Sequence, residues 1–135
     1  MSLRHRHHNP KIDALAKIDI FSHCTPSELE LLASASTALN LEAGTVLCRQ
    51  GSLGHEFFVI SEGEVAVEVD GRQVAILGPG SFFGEHSLLA HSPRNATVAT
   101  LTAGSVFVFG VGEFSTMLHD APHAAADMLI EASRR

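Results

Sequence analysis

The spacing of hydrophobic and polar positions changes rhythm twice along this chain. Ile12-Asp13-Ala14-Leu15-Ala16-Lys17-Ile18 places its apolar residues as a short helix does. Residues 1–11 carry no such pattern and read as a flexible tail. A helix start follows at Thr25-Pro26-Ser27-Glu28. Thr25 can cap, Pro26 suits the first helical position, and Glu28 completes a capping box. Leu29, Leu32 and Ala33 then form an apolar stripe to about Ala35.

From Thr37 onward the period becomes two. Phe58, Ile60 and the run Val65, Val67, Val69 alternate as half-buried strands do. Turn signals recur at Ala43-Gly44, Glu62-Gly63, Asp70-Gly71, Gly78-Pro79-Gly80 and Ala103-Gly104. Thr97–Leu101 and Ser105–Phe109 read as the last two strands. Short strands at this spacing predict a sandwich or a jelly-roll barrel. After Val111 the period lengthens again. Glu113–Leu118 forms one short helix, and Pro122–Ser133 forms another with Ala125, Met128, Leu129 and Ala132 at helical spacing. The expected architecture is mainly β: helices over 12–36, a jelly-roll-like β-barrel over 37–111, and helices over 112–135.

Composition narrows the function. The 135 residues allow one domain, and 45% hydrophobic content supports a packed core. The formal charge is −6, with basic residues clustered only towards the ends. That argues against direct nucleic-acid binding by this chain. No apolar run is long enough to span a bilayer, and the basic head Arg4-His5-Arg6-His7-His8 lacks the apolar region of a signal peptide. Cys24 and Cys48 form no close-spaced motif, which fits reduced thiols in a cytoplasmic protein. His119 and His123 are separated by Pro122, so no helical metal pair is expected, and no metal site is assigned.

Candidate chemistry concentrates in Gly84-Glu85-His86-Ser87-Leu88-Leu89-Ala90-His91-Ser92-Pro93-Arg94-Asn95-Ala96-Thr97. An acid opens a short apolar turn, and an arginine follows a proline nine residues later. A guanidinium can neutralise a phosphate with a fork of donors. A carboxylate can accept from a sugar hydroxyl. Gly84 allows close backbone approach, and the turn from Glu85 to Ala90 can face an anion with its amides. Between Ile18 and Ser133 the only lysine or arginine residues are Arg49, Arg72 and Arg94, and Arg94 alone lies among small and apolar neighbours. On spacing alone, an Arg94–Glu85 structural ion pair explains the same residues equally well.

This stretch resembles the phosphate-binding cassette of the cyclic nucleotide-binding domain family. The matching residues are Phe83-Gly84-Glu85-His86-Ser87-Leu88 and Pro93-Arg94-Asn95-Ala96-Thr97. A second block, Gly44 to Val67, carries the family's glycine and aromatic spacing. The resemblance covers about Ile18 to Ile130. It implies that Glu85 accepts the ribose 2′-hydroxyl, that Arg94 pairs with the cyclic phosphate, and that amides around Gly84, Ser87 and Ala96 complete the cradle. His86 departs from a usually aliphatic position. Asn95 stands where Ala accompanies cAMP and Thr accompanies cGMP, and it can bond a syn guanine. cAMP is the expected ligand, binding at least as well as cGMP. Leu88 is the expected relay to Phe114 on the hinge helix, with Met128 and Leu129 on the lid helix.

The implied function is a cytoplasmic sensor without chemistry of its own, moving its C-terminal helices to regulate an effector that the sequence does not name. A homodimer is left open. The alternative is a degenerate docking or dimerisation module without ligand; intact Gly84, Glu85, Arg94 and Ala96 argue against it. A cupin-type metal oxygenase would need a His-x-His strand motif, which this chain lacks. A DNA-binding activator would need a helix-turn-helix after the long helix, and the sequence stops at Arg135.

Overall fold

A computed structural model describes residues 9–135. Most of the expected tail lies outside the described residues. Helix α1 (Pro10–Ala16) starts two residues earlier than the apolar spacing predicts. The side chain of Asn9 accepts the amides of Lys11 and Ile12, and Pro10 takes the first helical turn, so the cap sets the boundary. Lys11 Nζ then donates to the carbonyl oxygens of Ala33 and Ser36, which ties α1 to its neighbour. A 3-10 turn (Asp19–Phe21) leads to α2 (Pro26–Ala35). The capping box is present there: Glu28 N donates to Thr25 Oγ1 at 3.2 Å and Thr25 N to Glu28 Oε1 at 2.8 Å.

Strands β1 (Thr37–Leu41), β2 (Val46–Cys48), β3 (Glu56–Glu62), β4 (Val65–Val69), β5 (Arg72–Leu77), β6 (Phe82–Phe83), β7 (Thr97–Thr100) and β8 (Gly104–Gly110) follow. They pair into two four-stranded antiparallel sheets, ordered β1-β8-β3-β6 and β2-β7-β4-β5. This is the expected jelly-roll-like architecture, built as two facing sheets rather than a closed barrel. Asp70-Gly71 joins β4 to β5 as a two-residue loop with φ of 53° and 80°, the backbone that matches strand twist.

The half-buried pattern expected for Phe58 and Ile60 needs correcting. β3 is buried on both faces. Phe58 and Ile60 point between the sheets with Val65, Phe83, Val98, Val106 and Val108. Phe57 and Val59 point the other way, into a core shared with Leu15, Phe21, Leu32, Phe82, Phe107 and Phe109. Helices cover that outer face, so no polar alternation is required there.

Between β6 and β7 lies the short helix α3 (Glu85–Ala90). Two helices close the chain: α4 (Val111–Asp120) and α5 (Pro122–Ser133), separated by the non-helical Ala121. Their buried residues Phe114, Met117, Ala124 and Met128 join the outer core. No helix among the described residues is long and apolar enough to cross a membrane.

Candidate functional site

Arg94 is held first by its backbone. Its amide donates to Ser52 O at 2.7 Å, its carbonyl accepts the Gly51 amide at 2.8 Å, and Leu53 bridges Pro93. The side chain then runs inward and is only 7% exposed. Nη1 donates to Gly84 O at 2.9 Å and Nη2 to Glu56 O at 2.7 Å. Two glycines make its slot. A Cβ on Gly54 would lie 2.5 Å from Arg94 Nε, and one on Gly84 would lie 2.8 Å from Nη1 and 2.7 Å from Glu56 O. Gly84 also has φ 96°, a region that penalises any side chain.

No carboxylate lies within ion-pair distance of Arg94 among the described residues. Its two partners are neutral carbonyls, so the positive charge is uncompensated. Burying a charge in that state is costly and favours an anionic ligand. The Arg94–Glu85 ion pair that spacing alone allowed is therefore absent. Glu85 is also buried, but its carboxylate meets the other end of the chain: Arg135 Nη1 lies 3.3 Å from Oε1. Arg135 Nη2 donates to Phe82 O, and the guanidinium sits 4.1 Å from the Phe82 ring centroid.

These groups share one cavity of about 460 Å³. All eight expected ligand residues line it: Phe83, Gly84, Glu85, His86, Ser87, Arg94, Asn95 and Ala96. The sequence reading missed the opposite wall, Cys48, Val67, Ala75, Leu77 and Val98, and it missed Arg135. The strand alternation of Val67 against polar neighbours was the available signal for the wall. Arg135 gave no local signal, because its place depends on how α5 docks. Burial pushes the Cys48 thiol up to about 11, despite the nearby Arg94 charge, so it presents a neutral wall. A larger cleft of about 840 Å³ runs between α1 and the β1-β8 edge, but none of its charged lining residues is buried.

The expected relay and lid residues lie elsewhere. Leu88 packs against the outer core, to which Phe114 belongs. The Phe114 ring is 5.0 Å from that of Phe57. Met128 is fully buried in the same core, and Leu129 is 44% exposed. Neither lines the cavity, because α5 turns its Ala124, Ala125 and Met128 stripe onto the helices. Only Arg135, beyond the helix end, reaches the site. His119 and His123 also diverge: one ring contacts Ser115 O, the other Glu28.

The sequence model of the cyclic nucleotide-binding domain matches residues 38–121. A cyclic nucleotide-gated potassium channel of Mesorhizobium japonicum is 33% identical over 111 residues, covering 82% of this chain and 31% of the channel. The chain thus spans about a third of the length of that relative. The regulatory domain of Toxoplasma gondii PKA, crystallised with cAMP, superposes with a TM-score of 0.68 at 30% identity, covering 78% of this chain and 42% of that one. The regulatory subunit of a cAMP-independent protein kinase A from Trypanosoma brucei superposes with a TM-score of 0.83 at 25% identity, covering 99% of this chain and 47% of that one.

Proposed function

The chain belongs to the cyclic nucleotide-binding domain family, and from that premise we propose that it is a cyclic AMP sensor whose C-terminal helices move on ligation to regulate an attached or associated effector. The observation that carries this reading is the buried, uncompensated guanidinium of Arg94 at the wall of a ligand-sized cavity. A cyclic phosphate supplies the missing negative charge. The fork of Arg94 keeps donors for it beyond the two that hold Gly84 and Glu56.

Glu85 then accepts the ribose 2′-hydroxyl. Its Oε1 faces Arg135, so the sugar and Arg135 compete for one carboxylate. That competition links occupancy of the cavity to the far end of α5. The apolar wall of Val67, Leu77 and Val98 suits a purine face. Leu88 and Phe114, in one contiguous core, provide the packed route from cassette to hinge. Asn95 is exposed at the cavity rim and is the residue most able to favour guanine. The domain needs no chemistry of its own for this role.

The docking-module reading has one observation in its favour. A neighbour of the same fold is described as cAMP-independent, and it aligns over nearly the whole chain. Calorimetric titration separates the two. The sensor reading expects saturable binding of cAMP, at least as tight as cGMP. Arg94→Ala should weaken it by roughly tenfold to a hundredfold, since charge-assisted bonds are worth about 1.5–3 kcal/mol. Glu85→Gln should cost less, and should hurt cAMP more than 2′-deoxy-cAMP. No heat with either nucleotide, or an unchanged Kd in Arg94→Ala, would overturn the sensor reading. A preference for cGMP that Asn95→Ala removes would reassign the base.

A further inference from the structure

Helix α5 starts without a cap of its own. Its N-cap residue, Ala121, makes no side-chain hydrogen bond. The amide of His123, in the first turn, still has a partner: it donates to Glu28 Oε2 at 3.0 Å. The His123 ring donates from Nδ1 to the other oxygen, Oε1, at 2.8 Å. That same Oε1 accepts the Thr25 amide in the capping box of α2. One carboxylate, 6% exposed, therefore serves two helix starts, reaching His123 across 95 residues of chain.

We infer that Glu28 is a positioning residue: the fixed end about which α5 turns, holding its first turn on the N-terminal helices while Arg135 at the far end reaches the cavity. The turning of α5 rests on the sensor reading; the anchoring of its first turn does not. A negative charge at a helix start opposes the macrodipole favourably. Burial alone would raise the Glu28 carboxyl, but the amides of Thr25 and His123 and the His123 ring pull it down to about 2, so it stays ionised near neutrality. A helix of this length spans about 18 Å, so a small rotation at a pinned start becomes a large displacement at the end. A further tie, His23 Nδ1 to Asp127 Oδ2 at 2.7 Å, has a 73% exposed histidine and is weak by comparison, and the Cys24 thiol also meets the Ala124 amide in the first turn.

The test compares the full chain with Glu28→Gln and Thr25→Ala by amide hydrogen exchange without nucleotide. Glutamine keeps the shape but replaces one acceptor with a donor. Thr25→Ala removes the α2 cap and leaves the contacts of His123 in place. The expected result is exchange at least fivefold faster in the first turn of α5 for Glu28→Gln, and in α2 alone for Thr25→Ala. Identical patterns in the two variants, or an unchanged α5 in Glu28→Gln, would reduce Glu28 to an ordinary cap and overturn the inference. If Glu28→Gln does not fold, Glu28→Asp decides, since the shorter side chain keeps the charge on α2 but withdraws it from both His123 contacts; faster exchange in the first turn of α5 supports the anchor and an unchanged α5 overturns it. A titration with cAMP on the same proteins then reads the turning itself. A wild type that binds no cAMP would remove the sensor reading while leaving the exchange result to decide the anchor.

Discussion

At the residue scale, the site is a problem of one cation and the space made for it. Arg94 reaches the cavity because Gly54 and Gly84 leave room on either side of its guanidinium. Gly54 has no left-handed backbone, but an added Cβ would lie 2.5 Å from Arg94 Nε and 2.8 Å from Ser87 Cβ, so Gly54→Ala must displace both the arginine and the start of the cassette helix. This variant should weaken cAMP at least tenfold and also lower the melting temperature, measured by calorimetry and thermal denaturation; unchanged affinity would mean that the slot does not set the position of Arg94. Arg135 acts in the opposite sense. It occupies the Glu85 carboxylate and the Phe82 ring, so Arg135→Ala should tighten cAMP a few-fold, because the ribose no longer displaces a cation. An unchanged or weaker affinity in calorimetry would mean that Arg135 does not compete with the sugar. Residue type and spacing singled out Arg94 and Glu85 but left a ligand site and a structural ion pair equally open, and the family resemblance supplied their expected roles. Their separate partners were not legible, because pairing is a distance and the chain order gives only an interval.

At the element scale, β3 and β8 organise everything around them. Each is apolar on both faces, with Phe57, Phe107 and Phe109 towards the helices and Phe58, Val106 and Val108 between the sheets. The cassette leaves β6, which pairs with β3 through Phe58–Phe83 and Val59–Phe82, so its start is as rigid as the sheet. Phe114 packs on Phe57, directly across from that strand. Phe114→Ala should cost about 3–5 kcal/mol of stability, as deletion of a buried phenyl does. It should also keep cAMP affinity within a few-fold while abolishing the ligand-induced protection of α5 in hydrogen exchange. Protection as full as wild type would leave Phe114 a core residue only. The helix and strand positions were legible from periodicity. The double burial of β3 was not, because a run of apolar residues does not say what covers each side.

At the scale of the whole molecule, α2 and α5 are tied together through Glu28, and that tie has a pH signature. The Glu28 carboxyl is held at about 2, below its ordinary value near 4.5. A depressed acid contributes stability that is complete above its unfolded value and disappears as pH falls through its folded one. The melting temperature should therefore drop between about pH 4.5 and 2, and Glu28→Gln, which has no proton to take up there, should show a shallower drop by circular dichroism. Parallel curves for the two proteins would place the acid sensitivity elsewhere.

What the sequence by itself determined is local: the capping box at Thr25, the two-residue turn at Asp70-Gly71, and the strand and helix periods. Each depends on neighbours a few residues apart, so residue type and spacing contain the physics. What only the tertiary structure decided is which distant groups meet. Arg94 takes neutral carbonyls and keeps its charge free; Glu85 meets Arg135; Glu28 meets His123; Met128 turns into the helical core rather than over the cavity. Those outcomes follow from how whole helices dock on a sheet, and docking is chosen by the summed burial of many side chains rather than by any short run of them.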